Sequence, residues 1–319
     1  MLASRIFNVY VLFFVISIVG YIMFPPFRTW GNATSLLSNS APIIMVAVAQ
    51  FFAMLVWGVD LSVGSIMNVV IVAASFLLDA PLEQMALGIV LCALLGALLG
   101  LINGVLIVAL KLPDFVVTMA TFIGFQGIAL SIRPTPGGGV NPDFQMFMYS
   151  YTYGLPNSFW VLIPILLILA YVLRQTRFGH YMIAVGSHRE SSQLLGLPVG
   201  RIRIGAYVMS GLCAAIAGIF LMGLIGTGSA EAAAPYQLNS IIATVIGGTS
   251  LYGGQGSVFG TLFGALILQV VLKMLTYANL LGSYILVFQG TMVVVVVGLV
   301  TLAQNRSLLR ALLRPRING

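Results

Sequence analysis

Ala86-Leu-Gly-Ile-Val-Leu-Cys-Ala-Leu-Leu-Gly-Ala-Leu-Leu-Gly-Leu-Ile-Asn-Gly-Val-Leu-Ile-Val-Ala-Leu110 contains no charged side chain. A helix needs about 20 mostly apolar residues to cross ~30 Å of hydrocarbon, and this segment exceeds that length. Further runs of the same kind lie on either side of it, with loose ends: 6–24, 41–58, 64–78, 115–132, 159–173, 204–225, 237–250, 257–275 and 284–303. Runs 64–78, 159–173 and 237–250 are short, as expected of spans that are tilted, broken or buried against protein. The pattern predicts an all-α fold: a polytopic transmembrane helix bundle of about ten spans, in a single domain over residues 1–319.

Composition points the same way. Apolar residues make up 60% and charged residues 7%, whereas a soluble domain carries roughly 25% charged residues. So few charges cannot cover a water-facing surface, so lipid is the expected solvent. The net charge of +7 invites a nucleic-acid reading. The basic residues lie at helix ends rather than along a soluble face, so no nucleic-acid partner is expected. Cys92 and Cys213 sit inside apolar runs, as packing residues rather than a disulfide framework. Run 6–24 lacks a small-residue cleavage site and reads as a first span that stays. Asn32-Ala33-Thr34 fits a glycosylation sequon, a pattern short enough to arise by chance. Two histidines eight apart, His180 and His188, make no metal site, and no catalytic pair stands out.

Orientation follows from the basic residues. With the N-terminus inside and ten crossings, the inner side receives Arg5, Lys111, Arg174, Arg177, Arg189, Arg201, Arg203, Arg306, Arg310, Arg314 and Arg316; the outer side receives Arg28, Arg133 and Lys273. That is a strong positive-inside bias, with both termini cytoplasmic. It also requires an even number of crossings on each side of segment 174–203: six before it and four after. Segment 133–158, rich in proline and glycine, is the expected largest external loop, and 226–237 the second. Residues 304–319 form a basic cytoplasmic tail, either solvated or lying on the anionic inner leaflet.

Three stretches rise above composition. Gly58-Val-Asp60-Leu-Ser62-Val-Gly64-Ser65 interrupts two apolar runs. It reads either as a helix break lining a path or as an inner turn in which Asp60 caps the next helix. Arg174–Gly196 allows two short helices, with Tyr181, Ala184 and Val185 on one face and Gly186 and Gly196 as stops. Such a knob suits helix-in-groove recognition by a partner. Gly247-Gly-Thr-Ser-Leu-Tyr-Gly-Gly-Gln-Gly-Ser257 has no following lysine and no βα context. It reads as a tight inner turn between close-packed helices rather than a phosphate loop.

Together, Gly-Val-Asp-Leu-Ser-Val-Gly-Ser, Thr-Arg-Phe-Gly…Ala-Val-Gly and Val-Ile-Gly-Gly-Thr-Ser-Leu-Tyr-Gly-Gly-Gln-Gly-Ser resemble permeases of bacterial ABC importers, the ribose-type, simple-sugar group above all. Leu101-Ile-Asn103-Gly104 and Leu112-Pro113 extend the match, which runs from about residue 40 to 300. Two positions depart from that pattern. Asp114 stands where a small or apolar residue is usual, and Trp57 where a glycine is common.

The resemblance implies a dimeric membrane core in the bacterial inner membrane, built with a second identical or sister permease. Two cytoplasmic ATPase domains would dock on segment 174–203, and a periplasmic solute-binding protein outside. It assigns Arg177, Phe178, Gly179, Ala184 and Gly186 to the ATPase-coupling segment, with Glu190 and Gly196 in its second helix. The chain carries no Walker lysine motif, so ATP would be bound by the partners and no cofactor by this chain. A neutral, hydroxyl-rich solute needs hydroxyl and amide partners along its path. The candidates are Asp60, Ser62, Asn68, Asn103, Thr118, Thr121, Gln126, Asn239 and Thr244, each equally able to bond between helices.

Overall fold

The computed structural model describes residues 2–304; of the tail at 304–319, all but Gln304 lies outside them. Helix α1 (Leu2–Met23) leads through a 3-10 turn to α2 (Trp30–Leu55), α3 (Val63–Leu77), α4 (Leu82–Leu110) and α5 (Asp114–Ile132). A short helix α6 (Pro142–Tyr149) and a hairpin of β1 (Tyr151–Thr152) with antiparallel β2 (Leu155–Pro156) precede α7 (Asn157–Gln175). There follow α8 (Arg177–Ser187), α9 (Arg189–Leu194), α10 (Val199–Ile225), α11 (Ala234–Ile246), α12 (Val258–Tyr277) and α13 (Gly282–Gln304). Among the described residues the architecture is all-α apart from that hairpin and one isolated bridge, Gly137 with Gly228.

Each apolar run carries a helix. Six helices, α2, α4, α5, α7, α10 and α12, are long and apolar enough to cross a membrane. Helix α3 and the apolar parts of α1 (Phe7–Met23) and α13 (Gly282–Val295) are shorter. Two boundaries depart from hydropathy. Helix α2 begins at Trp30 rather than near residue 41, because the polar side chains of its first turns bond along their own helix. Thr34 Oγ1 donates to the Trp30 carbonyl at 3.1 Å and Ser40 Oγ to that of Leu36 at 2.6 Å; satisfied hydroxyls are tolerated where bare ones are not. Helix α11 has 13 residues and stops before the Gly247-Gly248 turn, which the run 237–250 includes. The sequon is also excluded: Asn32 and Thr34 are buried, and Asn32 Oδ1 accepts from Tyr277 Oη at 2.7 Å.

Helix α2 forms the axis of the bundle. Every side chain from Ser40 to Leu55 is buried, whereas α5 buries Val117, Thr118, Phe125 and Ala129 alone. The connections collect at two ends. At one, Gly254 N–H donates to the Leu55 carbonyl at 2.9 Å, and Lys111, Arg189, Arg201 and Arg203 line one cavity. At the other, Asn141 N–H donates to the Leu78 carbonyl at 2.8 Å, Gly137 pairs with Gly228, and Arg133 lies 4.5 Å over the Phe76 ring. The loops that charge assigns to one side are therefore also the loops that meet in space.

Helices α4 and α10 cross with backbone against backbone. Gly96, Gly100 and Gly104 recur every fourth residue on α4 and face Ile204, Tyr207, Gly211 and Ala215 of α10. A Cβ on Gly100 would strike the Tyr207 carbonyl oxygen, and one on Gly211 would lie 2.9 Å from Gly100 Cα. Small residues at this spacing let apolar helices approach where no hydrophobic force draws them together. The spacing is visible in the sequence, but hydropathy passes over it. Gly100→Leu should overpack this seam at a cost of about 1–3 kcal/mol. The expected result is a lower thermal midpoint of the purified chain in detergent; an unchanged midpoint would show that the seam is not tight.

Candidate functional site

The second motif folds as two short helices, α8 and α9. Thr176 caps α8 by accepting the Gly179 N–H at 3.2 Å. Gly179 allows α8 to fold back onto the end of α7, since a Cβ there would meet the Leu173 and Val172 carbonyls. The Phe178 ring lies against Gly205 of α10. Met182 and Val185 are buried, Ala184 is half-buried, and Arg177 and Glu190 face outward. The joint between the helices is extended His188, not Gly186: α8 continues through Gly186 to Ser187. Gly186 is instead a contact point, because a Cβ would strike the Leu55 carbonyl oxygen and lie 2.6 Å from Gly254 N. Gly196, at φ +77°, closes α9 as its motif predicts.

The second and third motifs thereby meet at the end of α2, just before the first. The end of α2, the end of α8 and the glycine loop 247–257 touch through Leu55, Gly186 and Gly253–Gly254. Trp57 adjoins them at φ +63°, a left-handed backbone conformation that explains why a glycine suits this position. From here the loop 56–62 is fastened to three helices. Asp60 is fully buried; its Oδ1 accepts from Ser62 N–H at 3.0 Å and Ser62 Oγ at 2.6 Å, and its Oδ2 from Ser210 Oγ at 2.8 Å. Asn103 Nδ2 donates to Ser62 Oγ at 2.7 Å, and Thr118 Oγ1 to the Val59 carbonyl at 3.1 Å. Asp114 pairs with Arg203 and accepts from Tyr207 Oη at 2.7 Å, directly beneath Gly58.

A second polar group holds segment 226–233. Asn68 of α3 donates to Gln126 Oε1 of α5 at 2.9 Å. Each then turns its other amide atom on the segment's backbone. Asn68 Oδ1 accepts the Ala233 N–H at 2.8 Å, and Gln126 Nε2 donates to the Ala230 carbonyl at 2.8 Å. Irregular backbone drawn in beside α3 and α5 needs such partners. Thr244 Oγ1 donates to the Ala47 carbonyl of α2 at 2.8 Å. Thr121 bonds within its own helix, to the Val117 carbonyl at 3.1 Å. Asn239 is buried with its Oδ1 unpartnered among the described residues.

Sequence reasoning missed four residues here. Ser210, Arg203 and Tyr207 act through partners 89 to 150 positions away, and nothing local marks them. Gln50 carried a signal, as a lone amide in an apolar run. It is fully buried in α2, and neither amide atom finds a partner among the described residues.

A family model described as the permease component of a branched-chain amino acid transport system matches residues 32–297. This chain belongs to that permease family. The ribose import permease protein of Haemophilus influenzae is 32% identical to it over 291 residues, 90% of each chain. That of Escherichia coli (strain K12) is 34% identical over 293 residues, 88% of each. The fructose import permease protein of Rhizobium meliloti is 36% identical over 269 residues, 79% of this chain and 72% of its own. No solved structure matches the chain. The permease is of the ribose type, a transmembrane subunit of an ABC importer and not an enzyme. Within it, replacing Ser210 by Ala would leave a buried Asp60 oxygen without its donor, a loss of about 1–3 kcal/mol. A lower thermal midpoint of the purified permease is expected; equal stability of the variant would show that this oxygen is not sealed from water.

Proposed function

We propose that this permease forms the translocation path for a neutral sugar or sugar-like solute. It would do so with a second permease subunit, identical or sister, in the bacterial inner membrane. Two cytoplasmic ATPase domains would drive it, and a periplasmic binding protein would deliver the solute. The observation that carries the reading is the knob of α8 and α9. Leu194 and Leu195 are 89% and 81% exposed, while the opposite side of the same unit is wedged against α2 through Gly186. Adjacent exposed leucines on a short helix suit a partner groove. A push on them would reach the axis of the bundle through the close contact of Gly186 with the Leu55 carbonyl.

The sugar assignment rests on the relatives, named for ribose, allose and fructose import. Its chemistry fits the amides and hydroxyls of Ser62, Asn68, Asn103, Thr118, Thr121, Gln126, Asn239 and Thr244, beside Asp60. Gln50 joins them as an amide with no present partner. Groups that bond between helices in this conformation can exchange those bonds for sugar hydroxyls when the helices part. Ten crossings with both termini cytoplasmic are the reading that the ten apolar runs and the distribution of basic residues support.

Reconstitution of the permease with its ATPase and binding-protein partners in proteoliposomes tests this directly. ATP-driven uptake of labelled ribose is expected, and L194E/L195E should reduce it about tenfold or more while leaving the thermal midpoint unchanged. Uptake by the permease alone, or full activity of the variant, would overturn the docking role. Orientation is read separately. A cysteine in place of exposed Ser191 should resist impermeant maleimide in intact spheroplasts, with Cys92 and Cys213 silent because both are buried.

A further inference from the structure

A cavity of about 590 Å³ opens between the C-terminal end of α4, the α9–α10 connection and the first turn of α10. Lys111, Arg189, Arg201 and Arg203 line it, with Val108 and Leu112 among its apolar walls and no acidic residue. Among the described residues Arg203 alone has an ion-pair partner, Asp114. Arg203 is 4% exposed and its Nε finds no hydrogen-bond acceptor. Lys111, Arg189 and Arg201 face the cavity without a carboxylate partner among the described residues. Burial and the neighbouring Arg203 guanidinium hold the Arg189 pKa below its ordinary value, with Asp114 opposing the shift. Like charges are thus crowded into a partly desolvated space, an arrangement that an anion relieves. The first turn of α10 adds its positive end: Val199, Gly200 and Arg201 line the cavity, and Pro198 offers this 27-residue helix no side-chain cap.

We propose that this cavity holds the phosphate of an anionic phospholipid from the leaflet that meets segment 174–203. Basic pockets between membrane helices bind anionic head groups. What favours lipid over a free anion is the apolar surface adjoining the cavity. Leu110, Leu112 and Phe115 are all exposed at its α4–α5 edge, and acyl chains would lie along them while the phosphate enters between Lys111 and Arg201. The site stands apart from the transported solute and from which side of the membrane this end faces. Its location between α4, α9 and α10 lets the lipid brace the base of the α8–α9 knob against the α4–α10 seam.

Native mass spectrometry of the full-length permease, released from nanodiscs containing phosphatidylglycerol and phosphatidylcholine, provides the test. One phosphatidylglycerol is expected to survive delipidation. K111Q/R201Q should weaken its retention about thirtyfold. V108W, which fills the cavity and keeps every charge, should expel it as well. R174Q/R177Q, with the same charge change outside the cavity, should retain it. Equal retention by K111Q/R201Q would overturn the proposal. So would inorganic phosphate binding in phosphatidylcholine nanodiscs, dependent on Lys111 and Arg201, with no phosphatidylglycerol retained. Loss of ATPase docking in K111Q/R201Q with lipid retention intact would also overturn it, making the cavity a protein contact.

Discussion

Backbone pressed on backbone is the constraint from which the rest of the permease follows. In a lipid solvent no hydrophobic force draws helices together, so van der Waals contact between main chains must supply much of the attraction. The α4–α10 seam achieves this with Gly96, Gly100, Gly104 and Gly211, and the junction of α2, α8 and the glycine loop with Gly186, Gly253 and Gly254. Side chains in such contacts would swing through rotamers and absorb a displacement. Carbonyls packed on Cα atoms have no such freedom. These contacts therefore hold their shape, which is what the proposed coupling would require of them.

Polar groups supply the second layer of order. Asp60 binds loop 56–62 to α10, Asn103 ties it to α4, and Thr118 ties it to α5. Asn68 and Gln126 hold the 226–233 backbone against α3 and α5. Each bond links elements distant in sequence. If these groups line the proposed path, they would offer it hydroxyls and amides already engaged with one another. Gln50 and Asn239 keep unpartnered amide atoms in buried positions among the described residues.

The helices were legible because apolar length is a local property: run 86–110 lies wholly within α4, and run 115–132 coincides with α5 to within one residue. The knob was legible too, since Gly196 and the capping Thr176 act on their immediate neighbours. What failed was whatever depends on a distant partner. Gly186 resembles a helix stop until the Leu55 carbonyl appears beside it. Asp114 departs from its family's pattern, and its reason lies in Arg203 and Tyr207, 89 and 93 positions on. The polar start of α2 reads as loop because hydropathy counts hydroxyls and does not know that Thr34 and Ser40 bond to their own helix.

The knob is anchored on four elements. Helix α8 rests on α7 at Gly179, on α10 through Phe178, and on α2 and the glycine loop at Gly186. Of these, α2 is enclosed along its whole inner length, so it cannot tilt without moving the helices packed around it. Its final carbonyl, at Leu55, is the group that Gly186 touches and Gly254 bonds. Immediately after it comes loop 56–62, with its bonds to α4, α5 and α10. In the proposed coupling, a displacement of α9 would reach the polar cluster around Asp60 both through this helix end and through α10. Because that cluster joins three other helices, the bundle would then respond as a unit instead of yielding at one loop.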